Sequence, residues 1–77
     1  MSNEHLKQLS NDIFNTRNSI KETKVEITNL LDNMPTTDTN ILDRIRHTRR
    51  IHLLRFRLIG LRAHLRFLEN KLILLLN

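Results

Sequence analysis

Between Asp43 and Glu69 the chain carries eight arginines, three histidines and no acidic residue, threaded through two separate apolar stripes. Plotted at ~100° per residue, one stripe is Ile51, Leu54, Leu58, Leu61, Leu65, Leu68, Leu72 and Leu75, an unbroken alternation of three- and four-residue steps. A second stripe lies on the other side of the same helix: Leu42, Ile45, Leu53, Phe56, Gly60, Ala63, Phe67 and Leu74. Arg44, Arg55, Arg62 and Arg66 fill one gap between the stripes, Arg46, Arg50 and Arg57 fill the other, and Arg49 completes the set. A helix that is apolar on two faces needs two apolar neighbours. The rest of the chain offers one, so the other is expected from another molecule.

That first neighbour is the segment from about residue 2 to 34. Leu6, Leu9, Ile13, Thr16, Ile20, Thr23, Ile27, Leu30 and Met34 follow the same three-four repeat, which predicts an amphipathic helix with a single seam. Ser2 is a candidate N-cap, with Glu4 favourably placed in the first turn. Thr16 and Thr23 weaken the seam, because each brings a hydroxyl that needs a partner. Pro35 disfavours helix at Met34, and the cluster Thr36-Thr37-Asp38-Thr39-Asn40 offers several N-caps for a second helix. A turn at about 35–39 and that second helix at about 40–76 complete the pattern. The fold class is all-α: an antiparallel hairpin of two long helices in one domain over residues 1–77, pairing with a second chain into a four-helix bundle or coiled-coil-like assembly.

Length makes association more pressing. Seventy-seven residues lie near the size at which one chain struggles to build a sufficient core, and small scaffolds recover stability through disulfides, metals or oligomerisation. The chain has no cysteine, which removes disulfides and thiolate sites. Its four histidines lack metal-ligand spacing and read as solvated or capping residues. After Lys71 come five consecutive apolar residues, Leu72 to Leu76, which cannot all face one neighbour. The run is far too short to span a bilayer, and the polar start of the chain shows no secretory signal, so a cytoplasmic location is expected.

Which stripe faces which neighbour is inferred from the region beside the turn. There Leu42 and Ile45 belong to the second stripe, whereas the leucine stripe continued backwards meets His47 and Arg44. The second stripe is therefore expected to pack on the first helix, with Gly60 and Ala63 marking close approach. Counting outward from the turn places Leu30 near Ile45, Ile20 near Leu54 and Leu6 near Leu68. The leucine stripe, Ile51 to Leu75, is then left as the protein interface of a homo-oligomer, a two-fold dimer being simplest.

Charge separates the remaining function classes. Residues 1–43 hold four basic and seven acidic side chains, net −3, and residues 44–77 hold nine basic and one acidic, net +8. The surplus must meet solvent, a polyanion or an acidic partner. Arg44, Arg46, Arg49, Arg50, Arg55, Arg57, Arg62 and Arg66 are the candidate residues for that contact. They fall on two ridges, as flanks of apolar seams do, whereas one nucleic-acid backbone needs one track. No tyrosine or tryptophan is present to stack bases. A membrane-surface helix has one apolar and one polar face, not four alternating sectors. No nucleophile–base constellation, glycine-rich loop or small-molecule pocket is legible, so neither catalysis nor a cofactor is expected. The expected function is a non-catalytic protein-binding module: a small adaptor, chaperone-like or inhibitory protein. A dimeric RNA- or DNA-binding regulator using the same arginines is the alternative.

Overall fold

Proline and the polar cluster after it divide the chain close to where the pattern predicts. A computed structural model describes residues 3–36 and 40–77. These form helix α1, Asn3–Asp32, and helix α2, Ile41–Leu76, with no strand among the described residues. α1 ends two residues before the expected Met34. Asn33 N–H donates to the Asn29 carbonyl at 3.1 Å, Met34 N–H donates to Leu31 at 3.3 Å, and the Asn33 amide adds a second bond to Asn29 at 2.7 Å. Pro35 then prevents continuation. Of the possible caps for α2, Asn40 is used: its side-chain oxygen accepts from Leu42 N–H at 3.0 Å, and its carbonyl accepts from Asp43 and Arg44. Ser2, Thr37, Asp38 and Thr39, also among the expected caps, lie outside the described residues.

The two helices pack antiparallel into a rod of 61 × 14 × 13 Å. Its radius of gyration is 17.6 Å, against about 11–12 Å for a compact domain of this length. A two-helix rod has one seam and no enclosed centre. α1 buries Leu9, Ile13, Thr16, Ile20, Thr23 and Ile27 on that seam. α2 buries only Ile51, Leu54 and Leu68, while Leu58, Leu61, Leu65 and Leu72 stay half-buried. A single neighbouring helix covers the crest of a leucine stripe and leaves its shoulders open.

The seam carries two apolar clusters. Near the chain ends Leu9, Ile13 and Leu68 pack with Leu65 and Leu72, and near the turn Ile27, Ile51 and Leu54 pack with Leu30, Met34 and Leu58. Thr16 and Thr23 interrupt α1's apolar seam between these clusters. Both are buried, and their hydroxyls donate to the carbonyls four residues back, Asp12 and Ser19, each at 2.7 Å. That answers the need for a partner which burial imposes. Exposed ion pairs flank the seam, Arg50–Glu26 at 3.0 Å and Arg17–Glu69 at 2.8 Å.

Three expectations are corrected here. The faces of α2 are reversed: the leucine stripe packs on α1, and Leu42, Ile45, Leu53, Phe56, Phe67 and Leu74 are exposed. The physical reason lies at His47. Its Nε2–H donates to the Leu30 carbonyl at 2.6 Å, in the last turn of α1 where carbonyls lack intrahelical partners. A polar residue at the start of the leucine stripe is thus a cap on the facing helix. The register is also shifted, because the connection spans residues 33–40 where a shorter turn was expected. Leu68 sits with Leu9 and Ile13 instead of Leu6, and Leu30 joins the Ile51 and Leu54 cluster instead of Ile45. Lastly, Gly60 marks no close approach within the hairpin: a methyl placed on its Cα would meet nothing within 4 Å.

Candidate functional site

With the leucine stripe turned inward, the residues expected to carry a protein interface lie inside the hairpin. Ile51, Leu54 and Leu68 are buried there, Leu58, Leu61, Leu65 and Leu72 are half-buried, and Leu75 alone falls in the exposed range at 38%. The surface available to a partner is therefore the second stripe. It begins at Leu42 and Ile45, passes through Leu53 and Phe56, and continues through Phe67 to Leu74; Ile41 and Ile59, which the sequence pattern did not single out, are exposed beside it. Phe56 is 72% exposed, Phe67 61% and Leu74 76%. Large apolar side chains with that much exposure are ordinary when scattered. A row of them along one helix is a patch, and patches of that kind mark interaction sites.

Helical geometry places these residues in one row, which Arg49 and His52 interrupt near the turn. Ile45, Phe56, Ala63, Phe67 and Leu74 fall within a sector of about 40° on the side away from α1. Near the turn the row opens into a shallow depression lined by Ile41, Ile45, Thr48, Arg49, His52 and Phe56, among others. All of these residues belong to α2, so the depression lies between side chains on a helix surface and is not a cavity between elements. Further along, the His64 and Phe67 rings stack at 6.5 Å between centroids. The run after Lys71 behaves as its composition requires: Leu72 packs on the terminal cluster, whereas Ile73, Leu74, Leu75 and Leu76 remain exposed.

All eight candidate arginines are exposed on α2. Arg50 pairs with Glu26 of α1. The other seven have no carboxylate within ion-pair distance among the described residues. Arg44, Arg55, Arg62 and Arg66 run along one edge of the apolar row, and Arg46 and Arg57 along the other. Arg49 lies within the row near the turn, beside His52. Among the described residues, the one ion pair made by α2's acids uses Glu69 with Arg17 of α1, a partner that helical periodicity did not single out. No group of three or more metal-ligating side chains occurs among the described residues, and none of their helices is long and apolar enough to cross a membrane.

No protein-family model, no curated protein and no solved structure matches the chain.

Proposed function

We propose that the hairpin is a non-catalytic protein-binding module, an adaptor, chaperone-like or inhibitory protein, that completes a helix bundle with a second chain. The observation that carries this reading is α2 itself: 36 residues apolar on two faces, of which α1 covers one. In a two-helix rod the outward row stays in water, forgoing ~1.5–3 kcal/mol for each large side chain left unburied. A second chain laid along the outward face of α2 would recover much of that. Self-association into a four-helix or coiled-coil-like assembly is the simplest form of this, and docking of an acidic protein is the other. The contact is assigned to Leu42, Ile45, Leu53, Phe56, Phe67 and Leu74, with the arginine ridges steering the approach. A cysteine-free chain suits a reducing cytoplasmic setting.

The seven arginines without an ion-pair partner among the described residues favour a second reading, a dimeric RNA- or DNA-binding regulator. Sedimentation equilibrium over a wide concentration range, with nucleic-acid titrations at two salt concentrations, tests both. The module reading expects association that Phe56→Asp weakens, or stable binding to a protein helix. The regulator reading expects nucleic-acid affinity that survives ~150 mM salt with a log–log slope of roughly −3 to −4 for four phosphate contacts.

A further inference from the structure

Resting on the module reading, we propose that the occupant of α2's outward face is a long acidic amphipathic helix of a different protein, and not a second copy of this chain. Both edges of the apolar row are basic. One carries Arg44, Arg55, Arg62 and Arg66, and the other carries Arg46, Arg57 and Lys71. When two α2 helices pair through this row, edge residues of one face edge residues of the other, as e and g positions do in a coiled coil. Parallel or antiparallel, arginine then meets arginine, and like charges so placed are destabilising.

A second copy's α1 does not resolve the conflict. Of the carboxylates on the helices, Glu26 and Glu69 are engaged within the hairpin by Arg50 and Arg17. α1 is left with Glu4, Asp12, Glu22 and Asp32, interspersed with Lys7, Lys21 and Lys24. That surface is nearly neutral, and its outward apolar residues are few: Phe14, Val25 and Leu31. It matches neither the charge nor the apolar content of the α2 row.

The matching surface is a helix with its own apolar stripe flanked on both sides by Asp or Glu. Leu42 to Leu74 spans roughly 48 Å at 1.5 Å per residue, so a partner helix of about 30 residues would cover it. A strip of that length and ~10 Å width gives on the order of 1,000 Å² of total buried surface, the lower bound of a stable interface. Phe56 and Phe67 supply the aromatic anchors that dominate such contacts. Between them Gly60 and Ala63 keep the surface low, and the space above Gly60 is open to a partner side chain.

The test uses the full chain and two synthetic helices of roughly 30 residues, with leucine and isoleucine at the seam positions and either glutamate or lysine at both flanks. Fluorescence anisotropy at ~150 mM salt is expected to show an equimolar complex with the glutamate helix, at least about tenfold tighter than with the lysine helix. Raising the salt should weaken it severalfold, and Phe56→Asp/Phe67→Asp should abolish it while helicity and melting of the hairpin stay unchanged. Equal affinity for the two helices, or binding to neither, overturns the proposal. So does a dimer of the chain alone that Phe56→Asp/Phe67→Asp dissolves, although that outcome upholds the bundle-completing module. Tighter binding to single-stranded RNA or to vesicles containing phosphatidylserine than to the glutamate helix overturns both.

Discussion

Leu54 and Phe56 are two residues apart on one helix, and the structure assigns them to opposite environments: Leu54 is 4% exposed and Phe56 is 72% exposed. Truncating each to alanine should therefore give unequal results. Leu54→Ala removes a side chain packed among Ile27, Ile51 and Leu58. Leucine-to-alanine changes in cores cost about 2–5 kcal/mol, and a seam open at its shoulders can relax around the loss, which puts this one at about 2–3 kcal/mol. For a domain of this size that corresponds to a fall in Tm on the order of 10–20 °C. Phe56→Ala removes a ring that touches little within the chain and gains helix propensity, so its effect should stay within about 0.5 kcal/mol. Urea unfolding followed by circular dichroism measures both, repeated over a hundredfold or so range of protein concentration. A loss above about 1.5 kcal/mol for Phe56→Ala that does not vary with concentration would refute the placement of the faces. The same loss appearing only at high concentration would place Phe56 between chains.

Gly60→Ala should stabilise the hairpin by about 1 kcal/mol, since the added methyl meets nothing and glycine is a poor helix former; a loss in the same urea assay would show that something packs there. His47→Ala should cost about 1–2 kcal/mol by leaving the Leu30 carbonyl without its donor, and hydrogen exchange should show faster opening at the last turn of α1. Asn40→Ala removes the cap of α2 and should cost about 1 kcal/mol, whereas Asn40→Asp should not. A double-mutant cycle on Arg17 and Glu69 should give a coupling below about 1 kcal/mol that fades with salt, because both side chains are largely exposed.

Much of the architecture is legible in the residues. The three-four spacing from Leu6 to Leu30 and from Ile51 to Leu72 specifies two helices, and Pro35 with Asn40 specifies the break between them. The need of Thr16 and Thr23 for hydrogen-bond partners is equally plain, and backbone carbonyls one turn earlier meet it. What misleads is His47. Read along α2, a histidine and an arginine at the head of the leucine stripe look like a reason to turn that stripe away from α1. The actual reason for the histidine lies across the gap, in the unsatisfied carbonyls ending the other helix, and periodicity within one element carries no information about that. The register suffers similarly: a connection longer than the expected turn slides every cross-helix pair, and the apolar pattern of either helix alone is indifferent to the slide. The arginines are legible as a group, but only the choice of inner face turns their ridges into the borders of an exposed surface.

The pair of buried threonines has a consequence for alignment. A seam of three- and four-residue steps looks the same after α1 is displaced by one heptad, and a connection spanning residues 33–40 is long enough to permit such a slip. Displacement is not neutral in this hairpin, because Thr16 and Thr23 are themselves seven apart and sit in the middle of the rod. Moving α1 by seven in either direction sets Thr16 in the place of Leu9 beside Leu68, or Thr23 in the place of Leu30 beside Ile51 and Leu54, while Ile20 refills the place of Ile13 or Ile27. Side chains of α2 that now meet a leucine would then meet a hydroxyl already committed to its own helix. The weakest contacts of the seam thereby distinguish one alignment from its near-copies, and replacing both threonines by valine should yield a more stable hairpin that mixes its registers.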